Sequence, residues 1–188
     1  MSHGKLTVQV AKSLLIEFAP QRFITLHDHR PDSPDKLGKI RSWFGSDFAA
    51  ETILADLDIA VVSQDDNKIY ALIEIEETHA TPKVILGDIL ATLLGDGIAF
   101  QSKHYLKVGP WTTFILMVYD HNELELKKIK FLAAQTNGIK EKLTTPNASI
   151  RQIIVDTYKD GTLLESILTQ HVCDAISAAY TECNATSA

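Results

Sequence analysis

Cysteine is almost absent: the 188-residue chain carries two, Cys173 and Cys183. In one expected C-terminal helix they would stand ~15 Å apart along the axis, too far to pair with each other. A disulfide framework is therefore excluded, and no Cys/His spacing of zinc type occurs. No apolar run approaches the ~20 residues of a membrane span, and no secretory apolar stretch follows Met1. A cytoplasmic protein with no membrane association is the expectation. Basic residues are outnumbered, 18 Lys and Arg against 24 Asp and Glu, which argues against non-specific coating of nucleic acid or anionic membrane. Also missing are Gly-x-x-x-x-Gly-Lys, Gly-x-Ser-x-Gly and Gly-x-Gly-x-x-Gly, so nucleotide hydrolysis, α/β-hydrolase chemistry and dinucleotide binding lack their signatures.

What remains is an ordinary globular composition, 45% apolar and 22% charged, and a length that fits a single domain over residues 1–188. Leu6, Val10, Leu14, Leu15 and Phe18 recur at helical spacing and stop at Pro20, predicting a helix over 5–19. Residues 20–36 read as a loop centred on Asp32-Ser33-Pro34-Asp35. A short helical piece is expected at 36–44, then a helix capped by Ser46 or Asp47 and running to Leu54. The period then changes. Asp58 to Ser63 and Lys68 to Thr78 read as strands joined by a turn at 64–67, a β-hairpin. Pro82 opens a helix to Leu94, with Val84, Ile85, Ile89, Leu90, Leu93 and Leu94 as its apolar stripe. Residues 112–119 form an apolar strand buried on both faces, 122–135 a helix, 149–158 a strand and 162–181 a last helix. The expected fold is α/β, a sandwich with a mixed central sheet flanked by helices.

Chemistry concentrates on the hairpin. Strand side chains alternate, so Glu74 and Glu76 share one face while Ile73, Ile75 and Glu77 take the other. Charge placed beside Leu72, Ile73 and Ile75 costs free energy unless something compensates. The hairpin brings Asp58 next to Glu74 and Glu76. Oxygen-only donors grouped this way suit Mg²⁺ or Mn²⁺ better than zinc, and such an ion is what phosphodiester hydrolysis uses.

An acid at the head of a strand, a turn, and an apolar strand ending in acid-x-residue resemble the core of the PD-(D/E)XK nuclease superfamily, the fold of many restriction endonucleases. The resemblance covers about residues 46–120. It implies a metal-dependent endonuclease acting on DNA, with Asp58, Glu74 and Glu76 as metal ligands and, in restriction-like members, a homodimer. Two departures stand out. The motif proline is absent, so either Asp56 or Asp58 fits the first acid, Asp58 being favoured because the strand begins directly after it. Glu76 occupies the usual lysine position, as in some restriction enzymes, which leaves Lys83 at the start of the next helix as a relocated catalytic lysine. Glu51 and Glu17 resemble the extra helix glutamate of some members.

Charge is unevenly distributed. Residues 43–99 hold eleven acids and two bases, Lys68 and Lys83, whereas residues 100–160 hold nine bases and six acids. Lys103, Lys107, Lys127, Lys128 and Lys130 are the expected phosphate-tracking rim. His27-Asp28-His29 and His79 are secondary metal or phosphate candidates. The alternative function is a catalytically silent nuclease-fold module that binds a protein or nucleic-acid partner.

Overall fold

The computed structural model describes residues 3–28, 39–45, 50–77, 81–100, 104–120, 123–142 and 150–185. In chain order its elements are α1 (His3–Phe18), β1 (Phe23–His27), β2 (Ile40–Trp43), β3 (Ile53–Leu57), β4 (Ile59–Ser63), β5 (Ile69–Glu76), α2 (Pro82–Leu94), β6 (Gly97–Phe100), β7 (His104–Lys107), β8 (Thr113–Tyr119), α3 (Glu123–Lys142), β9 (Gln152–Tyr158) and α4 (Gly161–Ala185). The protein is α/β. A five-stranded mixed sheet has the order β1-β4-β5-β8-β9, and a four-stranded sheet has the order β3-β2-β6-β7. Within the larger sheet β1–β4 and β4–β5 are antiparallel, whereas β5–β8 and β8–β9 are parallel. No helix of the described residues is long and apolar enough to cross a membrane.

Each face of the larger sheet has its own core. Ile59, Val61, Tyr70, Ile73, Ile75, Ile115 and Met117 meet Val10, Leu14 and Phe18 of α1 and Leu164, Leu168 and Val172 of α4. Leu72, Phe114, Leu116 and Val118 point the other way, onto Ile85 and Ile89 of α2, Ile129 of α3 and Ile40, Leu57 and Ile98 of the smaller sheet. β8 is buried on both faces up to Val118, as its unbroken apolar run requires. Thr81 caps α2, accepting from the Val84 amide, with Pro82 in the first turn where no N–H is needed. Asp160 does the same for α4, accepting from Leu163 N at 2.8 Å.

The sequence reading differs from this structure chiefly in the first sixty residues, and it also lacks β6 and β7. Residues 23–27, expected as loop, form β1, which lies antiparallel to β4. Residues 40–43, expected as helical, form β2, paired to β3 and to β6. The helix expected to run to Leu54 is a single 3₁₀ turn at Ala50–Thr52 followed by β3, and residues 46–49 lie outside the described residues. These strands have four or five residues, too few to establish a period, and are fixed by partners distant in the chain.

Candidate active site

The strand directions bring the ends of β1 and β5 to the same side as the start of β4, and the parallel strands β8 and β9 finish there too. Ligand crevices of α/β sheets form at this carboxyl edge. Asp58 stands at it, alone between β3 and β4 where one extended segment passes from the smaller sheet to the larger. Pairing of β4 with β5 begins at Ile59 opposite Ile73, so the Ile75 amide has no β4 carbonyl to meet. The Asp58 carboxylate takes its place, accepting from Ile75 N at 2.8 Å. In return Glu74 Oε2 accepts from Asp58 N at 3.2 Å. Asp58 is 3% exposed and its carbonyl accepts from Asp28 N at 3.2 Å, so the end of β1 closes the third side.

Glu74 and Glu76 lie on the α2 face of β5, beside Leu116 and Val118 of β8. Burial pushes the Glu74 carboxyl well above the usual carboxylate range, and the charges of Asp58, Asp88 and Glu76 push the same way; the Asp58 amide opposes them. Asp88, on α2, is pushed up to about 7 by burial and by the charges of Glu76 and Asp58. Its Oδ2 is buried and has no hydrogen-bond partner among the described residues. Glu74 thus feels the charges of Asp58, Asp88 and Glu76, and Asp88 those of Glu76 and Asp58. On the opposite face Tyr158 of β9 carries a buried hydroxyl with no partner among the described residues, its pKa raised by burial and by Glu77, Tyr119, Asp58 and Glu76.

Asp56 and Asp58 differ in their partners. Asp56 projects from β3 into an ion pair with Lys39 and another with Arg41 Nε at 3.6 Å, whereas Asp58 joins the carboxylates. Lys83 is exposed in the first turn of α2. Lys68 is bound to Asp66 at 3.1 Å at the far end of β5. Glu17 is an exposed residue of α1 whose charge acts on Cys173 of α4, which puts it behind the opposite face of the sheet from Glu74. Glu51 is exposed in the 3₁₀ turn before β3. Lys107 ends β7 in the smaller sheet, and Lys127, Lys128 and Lys130 are exposed on α3. Lys103, His29 and His79 lie outside the described residues.

Asp88 is the residue the sequence reading missed. One signal was available: position 88 lies on the helix face of Ile85 and Thr92, both buried, so an acid there is turned toward the core.

The donors are all oxygens, which fits a hard divalent cation in chemistry. Among the described residues no group of three such side chains has metal-holding geometry. Comparisons with protein-family models, with curated proteins and with solved structures find no match.

Proposed function

We propose that the chain is a metal-dependent endonuclease of the PD-(D/E)XK type, with a restriction-endonuclease-like sandwich as its fold. The observation that carries the reading is the Asp58–Glu74 contact across a hairpin, with Glu76 and Asp88 close enough to raise the Glu74 pKa. Acids gathered in this way make one another costlier to ionise, and a bound cation would favour their charged forms. Asp58 and Glu74 would hold Mg²⁺ or Mn²⁺, with Glu76 or the unpartnered Asp88 Oδ2 as a further donor. When bound, that ion supplies Lewis-acid activation of water and stabilises the departing oxygen.

The remaining roles fall to this chain's side chains. Asp58 is positioned through the Ile75 amide, so the sheet itself sets where its carboxylate stands. Glu76, half-buried on the same face, orients the attacking water. The positive charge missing at position 76 comes from Lys83, whose exposure at the start of α2 leaves its long side chain able to meet a phosphate. DNA is the proposed partner, and a homodimer would let two such sites act on two strands.

Replacing Glu74 with Gln tests the assignment. Mg²⁺-dependent cleavage of plasmid DNA should fall to background while the circular dichroism spectrum is unchanged; cleavage at the wild-type rate would refute it. One observation favours the second reading, a silent nuclease-fold module: the Asp58 carboxylate already caps a backbone amide. Calorimetric titration with Mg²⁺ or Mn²⁺ separates the two, since a silent module gives no saturable heat.

A further inference from the structure

The beginnings of α2 and α3 both follow strands that end at the carboxylate edge, β5 and β8. Pro82 is six residues beyond Glu76, which holds it within ~20 Å of that carboxylate's backbone. Between the two helices runs an open groove of about 370 Å³ lined by Pro82, Lys127, Lys128, Phe131 and Leu132. Lys127 and Phe131 are four residues apart and Lys128 and Phe131 three, so all three share a helix face. Phe131 is 67% exposed, unlike Ile129 beside it, which is 3% exposed and packed in the core. Two exposed lysines stand one turn before an exposed aromatic ring, and this stretch of α3 is the densest lysine group in an otherwise acidic chain.

We infer that this groove binds an unpaired nucleic-acid strand, Phe131 stacking on a base while Lys127 and Lys128 hold neighbouring phosphates. The inference rests on the nuclease reading and narrows its substrate to single-stranded segments or frayed ends. The chemistry favours a single strand because a ring standing out from a helix can stack on a base only where that base's face is open, and a duplex interior hides those faces. Charge complementarity selects a polyanion, and the ring selects one with flat, stackable groups.

The test is a fluorescence-anisotropy titration of the full chain with a labelled oligodeoxythymidylate of roughly 12 nucleotides, in EDTA so that binding is read without cleavage. The wild-type chain should bind this strand at least tenfold more tightly than a duplex of equal length. Phe131→Ala should weaken strand binding about tenfold, within the range of one lost base stack, while Phe131→Tyr keeps it. Lys127→Ala/Lys128→Ala should flatten the dependence of log Kd on log salt by about 1.4, two phosphates at ~0.7 each. Unchanged binding by Phe131→Ala, equal or tighter binding of the duplex, or no saturable binding by the wild-type chain would overturn the inference, the last pointing to a protein partner for this face. The two readings fail separately. Phe131-dependent binding with Glu74→Gln still cleaving removes the metal site and keeps the groove, whereas metal-dependent cleavage with wild-type strand binding by Phe131→Ala does the reverse.

Discussion

The two ends of the β4–β5 hairpin both carry acids and treat them in opposite ways. At the turn, Asp65 pairs with Arg22 at 2.8 Å and Asp66 with Lys68 at 3.1 Å. Burial pushes the Asp66 pKa up, but hydrogen bonds from Lys68 and Ser63 prevail and hold it below its ordinary value. At the other end Asp58 and Glu76 act on both Glu74 and Asp88, whose pKa values rise. The same strands therefore hold an end where Asp65 and Asp66 are ion-paired and an end where neighbouring acids push Glu74 and Asp88 up. Acids perturbed in this way cluster at functional sites.

Substitutions at the two ends would break or sharpen that contrast. The largest difference is expected in activity: Glu74→Gln loses Mg²⁺-dependent cleavage, whereas Asp65→Asn and Asp66→Asn cleave like the wild-type chain in the same plasmid assay. Next in size is the response to the cation. At about 100 times its Kd, Mg²⁺ should stabilise the folded chain by ~2.7 kcal/mol at pH 8. The gain should shrink at pH 5, where Asp88 and Glu74 hold protons that compete with the ion, and differential scanning fluorimetry at the two pH values reads it. Equal shifts at both would detach metal binding from these acids.

Asp88→Asn should give a smaller effect, in metal-free buffer. An acid whose folded value lies above its unfolded value binds its proton more tightly in the folded chain, so stability declines as pH climbs from 3.8 to about 7. The Asn variant, lacking this titration, should be more stable than wild type at pH 8 by about 1–2 kcal/mol, partial solvation screening the rest of the shift. The gap should close below pH 4, as urea unfolding at each pH would show. The smallest effect belongs to the turn: Asp66→Asn should cost ~0.2–1 kcal/mol, an amount that fades in high salt because the pair is partly exposed.

The parts of this arrangement differed in how plainly the sequence displayed them. The hairpin, α2 and β8 each have long runs with one period, and their positions follow from that alone. Period-two alternation alone also puts Glu74 and Glu76 on one face. β2 and β6 were invisible because four residues carry no period, and β2 gains its identity by pairing through Arg41–Ala99 and Trp43–Gly97 with a strand more than fifty residues away. Asp56 and Asp58 look alike in sequence; only the packing of Lys39 and Arg41 against β3 separates them. Asp88 sat inside a well-predicted helix, and its importance came from the strand that helix covers.

Asp58 belongs to neither sheet, and that fixes it arithmetically. Leu57 before it faces the core shared with the smaller sheet, and Ile59 after it faces the core under α1 and α4. Because strand side chains alternate, adding or removing one residue here would invert the whole of β3 or the whole of β4. The acid is thus locked to a parity: the chain can change its side chain at this point far more easily than it can change the count, and whatever stands at position 58 will be delivered to the carboxylate edge.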